Sequence, residues 1–556
     1  MLASGADAAP TFTRVLTGDA ATDAQRSFGA TWFDHDGDGD QDLFVVNLGQ
    51  NNRLYRNDGG GLFPRLPAPP LDSNGGDSFA VAPADWNGDG LLDLYVANFG
   101  QQNFLYRNDG AGAHVRITTG AIATDAANSN GCAWLDFDSD GDLDQYVVNG
   151  GGQNNALYRN DGSTFAKLTG NPATSDGADA HGVSVADWDD DGDPDLCVPT
   201  NGGGVDLMFR NDGGGAFVSL TGSAVATDPG TAIGASFGDI DNDGDLDLFV
   251  SEALNGNNRL YRNDGGTFAL LSTSVVSTDG GASMGSAFAD ADNDGDLDLY
   301  VANTSDTANF FYENSGNGTF VRVTTGDPAT DTHSSRAVTW ADADDDGHLD
   351  LLVTSGFGAD DRNALYLNDG NANGRILIRC AIGARVRVHA TIGGAPTWQM
   401  REIAQQSGGY GQTPLGAWFG LGTATQADSV QIRWADGTVQ DVGPLDPGVY
   451  EIAQGGSPTG APLSPGEAGP VRLGQNTPNP FSGTTRIPFR LSRAGQVRLE
   501  IFDVAGRRLH VLANDRFSAG EHSVEWTPRN SRDTVLFYRL SVDGVAATRR
   551  MALLRR

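Results

Sequence analysis

From residue 11 to about 370 the chain is a succession of short apolar runs separated by breaks rich in Gly, Asn and Asp. Runs of this length, bounded by such breaks, predict β-strands and tight turns; strong helical periodicity is absent. The runs come in groups of four. In the first group Phe28 to Phe33 leads into an acidic stretch and Leu43 to Asn47 leads out of it. A third run carries an L-Y-R-N-D pattern, as in Leu54-Tyr55-Arg56-Asn57-Asp58 and Leu260-Tyr261-Arg262-Asn263-Asp264. After a Gly-rich turn comes a fourth, such as Thr319 to Val323. Four antiparallel strands in a repeat of about fifty residues predict a propeller blade.

The acidic stretch fixes the count. It recurs from Asp34, Asp85, Asp136, Asp187, Asp239, Asp290 and Asp342, at steps of 51, 51, 51, 52, 51 and 52 residues. Each copy reads D-x-[DN]-x-D-G-x-x-D. The terminal repeat is split. Thr11 to Val15 is a fourth strand without a repeat, and Leu365-Tyr366-Leu367 is a third strand with nothing after it. Pairing the two would complete a seventh blade from both ends and remove free edges. Small residues ahead of each loop (Ala30, Ala82, Ala133, Ser184, Ser236, Ala287, Thr339) suit a strand crowded against a central axis.

Oxygen ligands at positions 1, 3, 5 and 9, with glycine at 6, suit a hard cation such as Ca²⁺. The candidate ligands are Asp34, Asp36, Asp38 and Asp42; Asp85, Asn87, Asp89 and Asp93; Asp136, Asp138, Asp140 and Asp144; Asp187, Asp189, Asp191 and Asp195. The later loops offer Asp239, Asp241, Asp243 and Asp247; Asp290, Asp292, Asp294 and Asp298; Asp342, Asp344, Asp346 and Asp350. An EF-hand would need a bidentate Glu at position 12 between helices. Here position 12 is Val in every copy, from Val45 to Val353, and strands flank the loop. Four carboxylates packed in one hairpin repel, so a cation would act as a structural staple. Asn87 removes one charge, which predicts a weaker second site.

Motif, spacing and count together resemble the FG-GAP/VCBS repeats of the integrin α-chain-like propeller. The resemblance covers about residues 11 to 370. It implies about seven Ca²⁺, one per blade, at the hairpin joining the first two strands, with the position 7 carbonyl as a further ligand. His348, at position 7 of the last loop, is compatible with that role.

The net charge of −36 and pI near 4.3 exclude nucleic acid and anionic membrane surfaces as partners, and no apolar run is long enough to span a bilayer. Much of the acidity is accounted for by the loops. The opening residues lack the apolar core of a signal peptide. Cys132 and Cys197 read as small core residues, with a Cys132–Cys197 disulfide as the alternative; Cys380 stands apart.

Two shorter segments follow. Gly383-Ala384-Arg385-Val386, Arg401-Glu402, Gly409-Tyr410, Phe419-Gly420-Leu421-Gly422 and Trp434-Ala435-Asp436-Gly437 resemble the ASPIC/UnbV domain of cartilage acidic protein-like chains. Its expected role is to cap or dock on the propeller. Further on, Leu473 to Phe481, Gly495-Gln496-Val497, Ile501 to Arg507, Trp526 and Tyr538-Arg539-Leu540 resemble the C-terminal sorting domain of the type IX secretion system and its FlgD-like immunoglobulin-type sandwich. That resemblance implies export and release or surface attachment, with the secretion machinery as a partner. The expected organisation is all-β: a seven-bladed β-propeller over 11–372, a small β domain over 373–454, a linker over 455–470 rich in Gly, Pro and Ser, and an immunoglobulin-like β-sandwich over 471–556.

Catalytic motifs are missing: there is no G-x-S-x-G, H-E-x-x-H or Walker loop. The reading is a secreted or cell-surface calcium-binding protein, a monomer for adhesion or for binding a glycan or protein ligand. A polysaccharide-active lyase or hydrolase is the alternative, and a cluster of His, Tyr and Arg on the face opposite the acidic loops would favour it. That face should carry the amide-rich loops Asn47 to Asn52, Asn98 to Asn103, Asn149 to Asn155 and Asn303 to Asn309, and T-G-D-x-A-T-D segments such as Thr325 to Asp331.

Overall fold

A computed structural model describes the chain except for residues 1–9, 58–60, 62, 74, 163, 359–361, 406–407, 463–470, 474–475, 477–480, 482, 492–494, 504–506, 519, 529–533, 543–544 and 554–556. The described residues are nearly all β, with helix confined to single turns. In the first repeat Ser27–Phe33, Asp42–Gln50, Arg53–Tyr55 and Arg65–Leu66 pair antiparallel in chain order. The same four-stranded meander starts again at Gly76, Ala126, Ser184, Ala232 and Ser283. The last one is assembled from both ends. Ser335–Ala341, Asp350–Ser355 and Ala364–Asn368 pair in order, and Phe12–Arg14 adds the fourth strand, with Phe12 opposite Asn368 and Arg14 opposite Tyr366.

Burial explains why the inner strands do not alternate. Ser27–Phe33 and Ala232–Gly238 are buried at every position, as strands covered on both faces must be. The inner strand of each repeat lies against the next, and Ser335–Ala341 lies against Ser27–Phe33. Backbones approach closely there: a Cβ on Gly285 would sit 2.5 Å from the Arg336 carbonyl oxygen. Trp32, Trp134, Trp188 and Trp340 fill the space between neighbouring sheets. Cys132 and Cys197 are free thiols buried in different clusters, so the disulfide alternative is ruled out.

By contacts the chain forms two compact units. The first holds the repeats and a small β module. In that module Gly374–Arg379 pairs with Ala417–Gly422 and, in parallel, with Gly448–Glu451. A second sheet runs Ala395–Glu402, Arg385–Ile392, Ser429–Arg433, Val439–Asp441. The two share one core that includes Val386, Phe419 and Ile432. Thr459–Pro462 pairs with Gly448–Glu451, so a strand occupies part of the stretch read as linker; residues 463–470 of that stretch lie outside the described residues.

Between Glu402 and Ala417 the module sends a loop down the axis of the repeats. The Gln405 side chain meets the Pro83 carbonyl and accepts from Trp134 N–H, while its own carbonyl accepts from Val185 N–H. The Gly408 carbonyl accepts from Ser286 N–H at 2.7 Å. Gln412 N–H donates to the Ala30 carbonyl at 2.9 Å, and its carbonyl accepts from the Thr339 hydroxyl at 2.8 Å. A Cβ on Gly234 would collide with the Gly408 carbonyl. One loop thus touches the inner strand of every repeat.

The second unit contains Leu463–Arg556 together with Asn57–Leu62 and Asp342–Gly347. Its strands form two antiparallel sheets, Val471–Leu473, Thr485–Leu491, Gly520–Trp526 and Arg508–Phe517, Gly495–Asp503, Thr534–Val542, Val545–Leu553. They enclose a core with Ile487, Leu499, Tyr538 and Met551. Of the motif residues read there, 474–475, 477–480 and 504–506 lie outside the described residues.

Candidate metal loops and the opposite face

The first six acidic loops are hairpins, each held by its own first carboxylate. In the third loop Asp136 Oδ1 accepts from Asp140 N–H at 3.1 Å and Oδ2 from Gly141 N–H at 3.0 Å. The other five repeat this, for example Asp239 with Asp243 and Gly244. The path needs left-handed backbone at two places. Position 6 is always Gly, with φ from 86° at Gly90 to 104° at Gly295. Position 4 is also left-handed: Gly37, Gly88, Ser139, Asp190, Asn242, Asn293 and Asp345 have φ between 52° and 79°. The position 4 signal was available in the sequence, since Gly, Asn and Asp tolerate that conformation best.

The position 9 carboxylate ties the loop to the sheet. Asp144 Oδ2 accepts from Phe137 N–H at 3.1 Å and Oδ1 from Asn160 N–H at 2.7 Å. Asn160 is the N of the L-Y-R-N-D pattern, and its side chain also donates to the Trp86 carbonyl in the preceding loop at 2.9 Å. Asn211, Asn263, Asn314 and Asn368 make the same reach to Phe137, Trp188, Ile240 and Ala291. The pattern therefore clamps each repeat to its neighbour.

Carboxylate oxygens of positions 1, 3 and 9 lie within 4.8 Å of one another in the loops of Asp34, Asp136, Asp187 and Asp239; in the loop of Asp290 the set is Asp290, Asp292 and Asp294. Position 5 is tied back into its own loop: Asp140 Oδ1 accepts from Asp142 N–H at 2.9 Å, Asp243 Oδ1 from Asp245 N–H at 3.0 Å and Asp294 Oδ1 from Asp296 N–H at 3.0 Å. In the second loop Asn87 Nδ2 donates to Asp93 Oδ2 at 3.2 Å. Asp342, Asp344 and Asp346 fall in the second compact unit and Asp350 in the first, where it accepts from Asn368 N–H at 2.7 Å.

The donor sets fit a hard cation on two counts. Asp138, Asp189 and Asp241 at position 3 each bury an Oδ1 that has no hydrogen-bond partner. Burial, reinforced by neighbouring carboxylates, also pushes the acids up. Asp93 stands at about 7, Asp144 and Asp247 at about 8 and Asp195 at about 10, against an ordinary value of 3.8. Negative charge is held in these hairpins at a cost that a Ca²⁺ ion would reverse.

The small module docks over the fourth to sixth loops with cations. Arg433 and Arg385 reach Asp187 and Asp190, Arg385 at 2.5 Å from Asp190 Oδ1. Glu402 accepts from Arg385 at 3.0 Å and from Asp187 N–H at 3.1 Å. Arg401 is buried, and the carboxylates of Asp290, Asp239 and Asp296 act on it. Gly420 N–H donates to Asp290 Oδ2 at 2.8 Å, and Trp418 donates to Asn293 at 2.9 Å.

On the opposite face the amide-rich loops are internally engaged. Asn47 N–H donates to Asn52 Oδ1 at 2.9 Å, Asn47 Nδ2 to the Asn51 carbonyl at 2.9 Å, and Ser27 Oγ to Asn47 Oδ1 at 3.0 Å. The pairs 98/103, 149/155, 303/309 and even 200/206 and 252/258 form the same latch. The amides offered as ligand donors are therefore first of all turn-makers. The T-D segments have a structural task too. Asp331 accepts from Tyr366 OH at 2.9 Å and Arg14 at 2.8 Å, and Asp279 from Tyr312 OH at 3.2 Å and Arg322 at 3.0 Å. At the axis His181 Nδ1 lies 3.1 Å from the Tyr410 hydroxyl, and burial lowers the imidazole pKa and raises the phenol's.

The FG-GAP-like repeat model matches residues 34–96, 85–147, 136–198, 197–250, 249–301 and 292–353, more than half of the chain. The chain belongs to the FG-GAP-like repeat family. The ASPIC and UnbV model matches residues 376–457, the module whose loop fills the axis. Cartilage acidic protein 1 of Mus musculus is 27% identical over 467 residues, covering 74% of this chain and 71% of that one. Its Homo sapiens counterpart is 26% identical over 470 residues, covering 74% and 69%. Among solved structures, an Agrocybe aegerita protein described by its recognition of non-reducing terminal N-acetylglucosamine aligns at 19% identity and TM-score 0.38, over 56% of this chain and 79% of its own. Among the described residues no helix is long and apolar enough to cross a membrane.

Proposed function

We propose that this FG-GAP-repeat chain is a secreted or cell-surface protein that binds an extracellular glycan or protein ligand on a calcium-stapled, seven-bladed propeller. The observation that carries the reading is the convergence of three carboxylates in loop after loop, with buried position 3 oxygens lacking any partner. Residues such as Asp136, Asp138 and Asp144 would hold the cation, and the position 1 and 9 carboxylates would keep their backbone bonds. Extracellular Ca²⁺, near millimolar, fills sites of modest affinity. In this reading residues 11–372 are the propeller, 373–454 the docked module, and 471–556 an immunoglobulin-type sandwich serving export through the type IX machinery. The test is calorimetry with and without a chelator, followed by a glycan and protein array on the calcium-loaded chain. A melting temperature indifferent to the chelator sinks the staple. An array with no reproducible hit sinks the ligand-binding reading.

A further inference from the structure

Lys167 is the only lysine of the chain. It lines a cavity of about 250 Å³ between the second and third repeats, on the side away from the acidic loops. The repeats themselves supply the comparison. In the second and sixth repeats the corresponding space is filled by Phe104 and Phe310, with Arg116 and Arg322 stacked on the rings at 4.1 and 4.2 Å. In the third repeat both fillers are smaller: Ala156 stands in place of the phenylalanine and Lys167 in place of the arginine. The Tyr–Asp–cation clamp is kept. Lys167 Nζ lies 2.6 Å from Asp125 Oδ2, and Tyr158 OH donates to the same oxygen at 3.0 Å. The clamp is reachable, the Asp125 and Lys167 side chains being 32% and 42% exposed.

We propose that this cavity is a binding site for one neutral hexopyranose unit, held through a vicinal diol. Lys167 and Asp125 cancel in charge, so the site does not select an ion. Both clamp bonds fall on Asp125 Oδ2, which leaves Oδ1 to accept one hydroxyl, while the ammonium has further N–H groups for its neighbour. Ala126, Ala127 and Ala156 offer a small apolar wall to a sugar face. The volume is below the 300–1,000 Å³ or so typical of drug-sized ligands, which suits a single ring. This assignment rests on the ligand-binding reading above and names its site.

The single lysine makes the test direct. Incorporation of ¹³Cε-lysine into the calcium-loaded full chain labels Lys167 alone and leaves its ammonium intact. Titration with glucose, galactose and mannose, with N-acetylglucosamine and glucuronate as further arms, is followed at the Lys167 ¹³Cε resonance. The expected result is a saturable shift with at least one neutral hexose, and a loss of about tenfold or more in affinity for array-positive glycans in Lys167→Arg and Ala156→Phe. Both variants install what sister repeats already carry, so the melting temperature should hold. Array hits that bind both variants unchanged, or a resonance that moves with glucuronate alone, overturn this site and leave the ligand-binding reading standing. An empty array with an unmoved resonance overturns both.

Discussion

Tyr410→Ala tests whether the module's loop locks the axis of the repeats. The Tyr410 ring is 1% exposed and packs at 5.5 Å from Phe28 and 5.9 Å from Phe79, with Met284 and Ala337 in the same cluster. Truncating a buried aromatic side chain costs about 3–5 kcal/mol. The hydroxyl bond to His181 adds about 1 kcal/mol. The cost should fall on opening of the loop, because the rest of the module keeps its own core. Hydrogen exchange reads this directly at Gln412 N–H, bound to Ala30, and at Ser286 N–H, bound to Gly408. A loss of about 4 kcal/mol in opening free energy is roughly a thousandfold faster exchange at these amides. Tyr410→Phe keeps the ring and should accelerate exchange by about tenfold or less. Equal exchange in wild type and Tyr410→Ala would refute the idea that the loop is anchored by its tip.

Three further outcomes follow from the acidic loops. Arg401→Met leaves Asp239, Asp290 and Asp296 without their buried cation; in chelator it should cost about 3–5 kcal/mol by denaturant unfolding, and visibly less with Ca²⁺ present. Asn87→Asp supplies the missing fourth carboxylate of the second loop; titration calorimetry should show one site tightened, while the cation-free melting temperature drops. In chelator, stability should also fall as pH rises. Asp144 and Asp247 are held at about 8 by burial, far above the ordinary 3.8, so each binds its proton more tightly when folded. That contribution is complete below about pH 4 and is lost as the pH climbs through about 8. Melting curves at about pH 5 and pH 9 should therefore diverge in chelator and approach each other in Ca²⁺.

The repeat was legible because its punctuation is covalent in the sequence. Seven D-x-[DN]-x-D-G loops mark the hairpins, and the orphan strands at Thr11 to Val15 and Leu365 to Leu367 announced the pairing found between Phe12–Arg14 and Ala364–Asn368. What stayed hidden were relations between repeats. The Asn of L-Y-R-N-D looks like a turn residue until Asn160 is seen reaching the Trp86 carbonyl of the preceding loop. The amides of Asn47 to Asn52 suggested ligand donors because composition cannot tell a free amide from one bonded across its own turn. Arg401-Glu402 and Gly409-Tyr410 were visible only as a family signature. Their reasons are tertiary: Arg401 sits among loop carboxylates, Glu402 bridges Arg385 and Asp187, and Tyr410 closes the axis.

The same comparison explains why the module docks where it does. At three joints along the ring of acidic loops, position 4 of one repeat bonds to position 7 of the next. Ser139 Oγ donates to Asp193 at 3.1 Å, Asn242 Nδ2 to Asp296 at 2.7 Å, and Asn293 Nδ2 meets His348 Nδ1 at 3.0 Å. Between the fourth and fifth repeats the two positions are Asp190 and Asp245, both acids, as are Asp345 and Asp40 at the same positions of the seventh and first loops. Like charges at these two positions repel. Arg385 and Arg433 enter at this step, lying 2.5 and 2.9 Å from Asp190. Docking thus supplies, from outside the repeats, the positive charge that the periodic pattern lacks at one of its joints. From its seat over the fourth to sixth loops the module answers the charge of Asp190, and its loop reaches down the axis to every inner strand.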